Sequence, residues 1–371
     1  MKVLFIGDYS NYHACLAAEL RKRGICVTLV SDGGAYMNTD CDIKICREPG
    51  LHGSIQYLRD VYNISRELKG YDIVQLISPG FVHLRPEKLK FFLNRFKSNN
   101  GSLFLTLAGD DYFFVKACEE GKIFKYSEYK VGDKLTEFGR TATFTEWLKK
   151  DLRKYTEFFY NNLDGAMSAL PEYDMAAKPI LGGKLTYTGI PIDLSLLKYE
   201  QLDITAEKLN LFLGMKEESA VRKGTNYLYK ILKELEEEMP DRCRVIRVSN
   251  KSIKEYYDLM KTAHIVIDQL YSYSPATNAL AAMALGKVAA TGAMPEYYNY
   301  LSDDFDKPII GLSPLDPDIK STLKDCIVNR GKLVYMSIKG RKLVEKNNDV
   351  TIVADRYIEH WNKMTENNFM L

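Results

Sequence analysis

The chain lacks the residue spacings of disulfide frameworks and of metal sites. Its seven cysteines are odd in number and scattered without a CxxC pair, and its five histidines show no ligand spacing. Scattered, unpaired thiols are typical of a reducing compartment rather than of a disulfide-bonded secreted protein. We therefore expect neither structural disulfides nor a bound metal.

Long apolar runs and an excess of one charge sign are also missing, and we expect no secretion signal. No stretch approaches the roughly 20 apolar residues of a membrane span, and the opening MKVLFIGD is typical of a buried strand rather than a signal peptide. A net charge of +2 argues against nucleic acid as the main partner. The first turn carries no GxGxxG fingerprint, which argues against a nicotinamide cofactor. We expect a cytoplasmic location, with attachment to the inner face of the membrane left open.

What the sequence does contain is a regular alternation of strand-like and helix-like segments. Such alternation predicts α/β architecture with parallel sheets, and 371 residues are too many for one ordinary core. We predict two doubly wound halves, the first over residues 1–198 and the second over 209–350. A polar linker, 199–208, would join them, and a final helix over 351–371 would pack back toward the first half.

The most informative stretch runs from Ala263 to Pro295. It predicts a short buried strand at His264–Asp268, a polar aromatic loop, a helix over Ala276–Leu285, and a second buried strand after Gly286. A helix that follows such a loop directs unpaired N–H groups and a positive dipole end at the space above the loop, which suits a diphosphate. Similar units also serve as plain scaffold, so the pattern alone leaves both alternatives open.

The residues DQLYSYSPATNALAAMALGK in this stretch resemble the C-terminal-domain signature of GT-B glycosyltransferases. The likeness is greatest to the retaining family 4 type and its bacterial surface-polysaccharide relatives. The shared pieces are Asp268-Gln269-Leu270, Asn278-Ala279-Leu280, Ala282-Met283-Ala284, Gly286-Lys287 and Thr291-Gly292-Ala293. That family usually carries two glutamates with seven residues between them, which bind the donor sugar and the ribose. Their positions here hold Tyr273 and Ala281, and neither side chain accepts hydroxyl hydrogen bonds as a carboxylate does.

The resemblance implies a GT-B fold, with two Rossmann-like domains facing a central cleft. It implies a hexosyltransferase that takes its sugar from a nucleotide diphosphate sugar, retains anomeric configuration and needs no metal or other cofactor. The implied acceptor is a hydroxyl of a glycan or lipid-linked molecule in bacterial cell-surface polysaccharide synthesis. Because both glutamates are absent, two alternatives stay open: a degenerate GT-B protein that binds nucleotide or glycan without turnover, and a sugar-nucleotide epimerase.

A second matching segment is the strand Leu211–Gly214 followed, after a spacer, by Arg222-Lys223-Gly224. Lys223 matches a family lysine that neutralises the diphosphate leaving group, as other fixed cations stabilise developing negative charge. Met215 stands where the family has an arginine, so we expect Arg222 or Lys216 to substitute. Solvated residues at a helix terminus are the alternative interpretation. The donor-binding residues that we predict are Gly214, Lys216, Tyr273, Ser274, Ala276, Thr277, Asn278 and Glu296.

The acceptor side is predicted from loops that follow strands in the first half. The turn after the first strand contains Asn11 and His13, whose side chains suit sugar hydroxyls, and Asp110 follows a later buried strand. We assign catalytic roles to His13 and Asp110 beside Lys223 and Arg222. A surface histidine, and a helix N-cap at the adjacent Asp111, are the alternatives. The remaining acceptor-side residues that we predict are Asn11, Tyr12, Ser78 and Gly109.

One helix has two interpretations. The segment Pro86–Lys97 places Leu89, Phe92, Leu93 and Phe96 on one face and basic residues toward the other. This pattern is typical of a basic helix at a membrane interface and equally of a crossover helix packed on a sheet. Peripheral membrane contact therefore stays open.

Overall fold

The computed structural model describes residues 1–33 and 40–366. The chain forms two compact units, which we call the N-unit and the C-unit. The N-unit comprises Met1–Lys116, Thr145–Pro191 and the chain from Val350 onward, and the C-unit comprises Ala117–Phe144 and Ile192–Asp349. This division differs from the predicted one because residues 117–144 lie with the C-unit.

The N-unit is built on a seven-stranded parallel sheet of order β3-β2-β1-β4-β5-β8-β9. Its strands are β1 Lys2–Ile6, β2 Cys26–Ser31, β3 Ile43–Lys44, β4 Ile73–Leu76, β5 Ser102–Leu107, β8 Gly165–Ser168 and β9 Leu185–Tyr187. Its helices are α1 Tyr12–Lys22, α2 Gly50–Glu67, α3 Pro86–Asn99, α6 Lys150–Asn161, α7 Pro171–Leu181 and α15 Val350–Thr365. Two more, α4 Tyr112–Glu120 and α5 Ala142–Trp147, lie where the chain passes between units. The strand order reverses between β1 and β4, as in doubly wound folds.

Runs of apolar residues form the strands of this sheet and the helix faces that cover it. Four consecutive residues of β1, Val3–Ile6, are buried, as expected for a parallel strand covered on both faces. Helix α3 buries Leu89, Phe92, Leu93 and Phe96, so the predicted packing face is confirmed.

The last helix, α15, is tied into the N-unit by a buried polar network. The Trp361 indole N–H donates to Gln75 Oε1 over 3.0 Å, and the Tyr357 hydroxyl lies 2.9 Å from Thr106 Oγ1. Gln75 Nε2 also donates to Thr106 Oγ1, over 3.0 Å. Since buried polar groups are costly without partners, these bonds fix where α15 docks.

The C-unit has a five-stranded parallel sheet of order β11-β10-β12-β13-β14. Its strands are β10 Leu209–Gly214, β11 Cys243–Val248, β12 Ile265–Ile267, β13 Val288–Thr291 and β14 Ile310–Gly311. Its helices are α8 Glu217–Lys223, α9 Thr225–Glu238, α10 Ile253–Lys261, α11 Thr277–Ala284, α12 Pro295–Tyr298, α13 Ile319–Val328 and α14 Gly331–Asn347. An antiparallel hairpin, β6 Lys130–Val131 and β7 Lys134–Leu135, also belongs to this unit.

Helix α11 is enclosed by its neighbours. Every residue from Ala279 to Ala284 is buried, because small side chains let α11 approach both the sheet and α14. A Cβ on Gly340 of α14 would lie only 3.1 Å from Met283 Cγ. The alanine-rich sequence therefore lets α11 pack closely against its neighbours.

In the described part of the chain, no helix is both long enough and apolar enough to cross a bilayer.

Candidate functional site

Three loops of the C-unit meet at the carboxyl edge of its sheet. Strand β10 ends at Gly214, Asp268 directly follows β12, and Gly292 directly follows β13. Because parallel strands end on the same side, this edge is where open α/β sheets bind ligands. We call it the C-unit edge.

A hydrogen-bonded chain of side chains crosses this edge. The Tyr256 hydroxyl of α10 donates to Asn278 Oδ1 over 2.8 Å, and Asn278 Nδ2 donates to Asp268 Oδ1 over 3.4 Å. Gly214 makes room for the first member, since a Cβ there would lie 1.9 Å from the Tyr256 hydroxyl oxygen. Gly214 and Asn278 therefore both help to position Tyr256, while their donor-binding roles stay predictions. The sequence had not indicated Tyr256.

Asp268 is a buried carboxylic acid at this edge. Its side chain is 2% exposed, and its Oδ2 atom has no hydrogen-bond partner among the described residues. Burial raises the pKa of its carboxyl, while the nearby Lys223 ammonium, the Asn278 amide and the Ala279 N–H oppose that rise. A buried acidic oxygen beside the first turn of α11, with unused bonding capacity, is typical of a site that binds polar groups.

Two further unpartnered oxygens lie at the same edge. Ser272 Oγ and Glu296 Oε2 are buried without a hydrogen-bond partner in the described structure. Ser272 sits directly on Gly292, where a Cβ would lie 1.8 Å from the Ser272 carbonyl oxygen. Glu296 lies in the short helix α12, just after β13. Like Asp268 Oδ2, both are buried oxygens with unused hydrogen-bonding capacity, and both lie on segments that follow strands of this sheet.

The predicted cations occupy the junction of α8 and α9. The spacer that we expected before Arg222 is itself the helix α8. Arg222 and Lys223 are its last residues, and Gly224 separates it from α9, which begins at Thr225. The Leu270 N–H donates to the Lys223 carbonyl over 2.9 Å, which holds this junction against the loop after β12. Lys223 is exposed, and its ammonium lies close enough to Asp268 to oppose the rise in that carboxyl's pKa.

Residues 117–144, which we call the strap, cover the loop after β12. The Tyr126 hydroxyl donates to the Ser272 carbonyl over 3.0 Å, and the Lys125 N–H donates to the Tyr273 hydroxyl. The rings of Phe124 and Tyr126 lie 5.5 and 4.7 Å from that of Tyr273. Tyr273 is therefore an enclosed anchor for the strap, and contact with a donor would require the strap to move.

The strap also binds Arg222. Its Nη2 atom donates to Glu128 Oε1 over 2.9 Å, and its guanidinium lies 5.5 Å from the ring centre of Phe138. Glu128 stands far from Arg222 in sequence, and nothing in its local pattern indicated this ion pair.

The other predicted donor residues lie nearby along the chain. Ala276, Thr277 and Asn278 are half-buried at the start of α11, Ser274 is buried, and Lys216 immediately precedes α8. The first turn of α11 has no side-chain cap, and its N–H groups are the natural anion donors of the C-unit edge. The donor-binding roles of these residues stay predictions.

The N-unit brings a second group of loop residues together. The Tyr9 hydroxyl lies 3.0 Å from Ser78 Oγ, and a Cβ on Gly109 would lie 3.3 Å from the Tyr9 ring. Burial raises the pKa of Tyr9, and the Asp110 carboxylate adds to that rise. The predicted Ser78, Gly109 and Asp110 thus share one edge of this sheet, and Tyr9, which the sequence had not indicated, links them.

The backbone of the same turn is strained. Ser10 and Asn11 have φ angles of 53° and 64°, in the left-handed region that non-glycine residues rarely adopt. Such conformations cost about 1 kcal/mol or more each and tend to persist at functional sites. The turn is therefore a reasonable candidate for ligand contact.

His13 is placed differently from what we expected. Its ring is fully buried against Phe5, with Nδ1 2.7 Å from the Gly7 carbonyl and Nε2 3.0 Å from Thr106 Oγ1. Since a carbonyl only accepts, Nδ1 carries the proton and Nε2 accepts. Burial lowers the pKa of His13 to about 3. A catalytic role would require the ring to leave both partners, and the alternative of a surface histidine is wrong as well.

Two neighbouring residues have structural partners. The Tyr12 hydroxyl donates to the Gly189 carbonyl over 2.8 Å within the N-unit core, so its predicted acceptor role also demands rearrangement. Asp111 caps α4, since its Oδ1 accepts the Phe114 N–H over 2.9 Å. The N-cap interpretation of Asp111 is confirmed.

Comparison with known proteins places the fold. No known protein-family profile and no curated protein matches the sequence. Sucrose-phosphate synthase from Thermosynechococcus elongatus is similar in structure, with a TM-score of 0.65 and 12% identity over 98% of this chain and 99% of that one. HepE from Anabaena, solved with UDP-glucose, gives a TM-score of 0.61 and 13% identity over 98% of this chain and 100% of that one.

The fold is GT-B. The predicted class, α/β with two doubly wound Rossmann-like domains, is confirmed. A Listeria monocytogenes protein provisionally assigned as a UDP-N-acetylglucosamine 2-epimerase is also similar, with a TM-score of 0.55 and 12% identity over 100% of this chain and 99% of that one. At these identities the likeness concerns the fold alone.

Proposed function

We propose that this chain is a family 4-like glycosyltransferase that moves a hexose from a nucleotide diphosphate sugar to a hydroxyl acceptor. We further propose that it acts in bacterial cell-surface polysaccharide synthesis, retains anomeric configuration and uses no metal or other cofactor. The observation that carries the proposal is the C-unit edge, where the buried Asp268 bonds to Asn278 in the first turn of α11 and keeps one oxygen without a partner in the described structure. Ser272 and Glu296, on the segments after β12 and β13, add two more such oxygens. The GT-B fold supports the same function.

The donor would bind with its diphosphate at the start of α11. The N–H groups near Thr277 and the Lys223 ammonium provide positive charge there, which would stabilise the leaving group as the glycosidic bond breaks. Asp268 acts through Asn278 and Tyr256, which it holds in place, and is a positioning residue in this scheme. Glu296 and Ser272 supply oxygens for sugar hydroxyls, in place of the carboxylates missing at Tyr273 and Ala281.

The acceptor would bind at the edge of the N-unit sheet that carries Tyr9, Ser78, Gly109 and Asp110. Tyr9, Ser78 and Asp110 offer two hydroxyls and a carboxylate close together, which suits a hydroxyl nucleophile.

For a lipid-linked acceptor, α2 and α3 provide a surface that suits peripheral membrane contact. Leu51, Ile55 and Phe91 are 79%, 59% and 51% exposed there. Arg59 and Lys88 line the same groove between the two helices. Apolar side chains rimmed by basic ones are typical of binding at an anionic interface.

A ligand screen tests the proposal. Thermal unfolding should be measured with UDP, GDP, CDP, ADP and their common sugars, starting with UDP-glucose because HepE was solved with it. We expect one nucleotide to raise the melting temperature of the wild type and of Lys230→Ala, an exposed lysine on α9. Lys223→Ala should lose about 10-fold or more in affinity for that nucleotide. If no nucleotide near millimolar concentration stabilises the wild type, the donor site is refuted, since a bound ligand must stabilise the native state.

Two alternatives have specific support. Tyr273 and Ala281 are 1% and 0% exposed, so neither offers a ligand contact as it stands, which favours a degenerate binding protein. The likeness to the Listeria protein favours an epimerase. Product analysis separates the three: transfer requires an acceptor, epimerisation proceeds without one, and a degenerate protein yields no product from a nucleotide sugar that it binds.

A further inference from the structure

The strap has a small core of its own. Tyr129 is fully buried, with the Phe138 and Phe144 rings 5.4 and 4.9 Å from its own. The Ser127 N–H donates to the Lys130 carbonyl over 2.7 Å, and the Thr136 N–H donates to the Tyr129 carbonyl over 3.0 Å. The segment is therefore an ordered element that holds Glu128 in a defined place, rather than a loose loop.

Two sets of contacts among the described residues attach the strap to the C-unit edge. One attachment is the set of contacts that Lys125 and Tyr126 make with Ser272 and Tyr273. The other is the ion pair of Glu128 with Arg222. Both lie beside groups that the proposed function assigns to the donor, so the strap and a bound donor share neighbours.

The ion pair is the exchangeable attachment. The Glu128 side chain is 15% exposed and that of Arg222 is 39% exposed, so Arg222 remains accessible to a second anion. A guanidinium binds a phosphate in the same bidentate way as a carboxylate, and a diphosphate carries more charge than one carboxylate. A diphosphate that reaches Arg222 therefore competes with Glu128.

We propose that Glu128 is a displaceable counterion of Arg222, and that a nucleotide diphosphate releases the strap by taking its place. The inference rests on the proposed function, which places the diphosphate beside Lys223, the residue next to Arg222 in sequence. A ligand shifts an equilibrium only by its different affinity for the two states. Here the difference is the Nη2 N–H of Arg222, which Glu128 occupies and which becomes available to the diphosphate only after Glu128 has separated from it.

Only molecules whose Arg222 is released can make this contact. The apparent affinity for the diphosphate is therefore the intrinsic affinity multiplied by the fraction of such molecules. Glu128→Gln keeps the size of the side chain and removes its charge. Since a partly exposed ion pair contributes modestly, we expect this variant to bind pyrophosphate and the matching nucleoside diphosphate about 3- to 10-fold more tightly. Binding of the nucleoside without phosphates should not change.

Hydrogen exchange of the strap tests the release directly. The full-length protein is compared with and without about 10 mM inorganic pyrophosphate, a probe that needs no knowledge of the nucleobase. We expect pyrophosphate to speed exchange in residues 122–137 of the wild type several-fold. Glu128→Gln should exchange faster even without it, and Glu128→Asp, which retains a carboxylate, should lie between the two.

Glu120→Gln is the matched control, because Glu120 pairs with Lys122 on the exposed part of the same strap, 3.1 Å away. It should behave as the wild type does. The inference is overturned if pyrophosphate protects the wild-type strap or leaves its exchange unchanged, or if Glu128→Gln exchanges at the wild-type rate. If pyrophosphate speeds exchange in the strap but the protein transfers no sugar, only the proposed glycosyltransferase activity is refuted. If the protein transfers sugar but exchange in the strap does not change with pyrophosphate, only the proposed release of the strap is refuted.

Discussion

The protonation state of His13 gives a prediction whose size follows from the structure. Its ring is buried with both nitrogens engaged, and its pKa falls from 6.5 to about 3 on folding. Below pH 6.5 the unfolded chain takes up a proton at this site and the folded chain does not. The contribution of His13 to the free energy of unfolding therefore has its full value above pH 6.5, and it falls progressively as the pH drops toward 3.

The magnitude follows from linkage. Each pH unit within this window costs about 1.4 kcal/mol, so acidification from about pH 7.5 to pH 5 should remove about 2 kcal/mol through His13 alone. His264 and His360 also have pKa values lowered by burial. The dependence of the wild-type unfolding free energy on pH therefore includes contributions from more than one histidine. Comparison with His13→Asn isolates the His13 contribution. The variant should be less stable at neutral pH, and the gap should narrow by about 2 kcal/mol at pH 5.

Tryptophan fluorescence during urea unfolding is the assay. The two tryptophans, Trp147 and Trp361, both belong to the N-unit, so the signal follows the unit that contains His13. Trp361 also lies near Phe5, the ring stacked on His13. A gap that stays constant between these pH values would refute the reasoning. So would an NMR titration of the His13 ring with its midpoint near 6.5.

Two further predictions concern other parts of the molecule. Gly214→Ala should push Tyr256 away from Asn278, weaken nucleotide binding and cost about 1–3 kcal/mol of unfolding free energy. Urea unfolding should show no comparable loss for Gly183→Ala, whose Cβ would meet nothing within 4 Å. An equal loss of unfolding free energy in the two variants would contradict the proposal that Gly214 makes room for Tyr256. Leu51→Ser with Phe91→Ser should lower affinity for anionic vesicles in co-sedimentation by about 10-fold or more, since both side chains are more than half exposed. Unchanged sedimentation would remove α2 and α3 as the membrane-binding surface.

Much of the fold was predictable from local pattern. The buried strands and the helix within 263–295 lie close to their predicted bounds, because apolar runs and small residues specify such elements locally. The stretch from residue 146 to residue 161 is not one helix, because α5 ends at Trp147 and α6 begins at Lys150. The hairpin of β6 and β7 was missed because its strands are only two residues long and carry no clear alternation.

The candidate site was predictable only in part. Ser78, Gly109 and Asp110 follow strands of one parallel sheet and lie at one edge of it, where Tyr9 links them, since the carboxyl ends of parallel strands share a side. Gly214 and Asn278 lie at the edge of the other sheet, and the binding and catalytic roles of all five stay predictions. Tyr9, Tyr256 and Glu128 escaped prediction. Their importance lies in contacts with residues remote in sequence, and no local pattern records such contacts.

The sequence by itself determined the α/β class, the strand–loop–helix unit that carries Asp268 and Asn278, and the apolar face of α3, because each depends on periodicity and composition within a short window. Only the tertiary structure decided that His13 is enclosed and neutral, and that the strap from the first half of the chain lies on the C-unit and pairs Glu128 with Arg222. Burial and ion pairing depend on which distant segments pack together. That choice is made by the whole fold, and local residue pattern does not contain it.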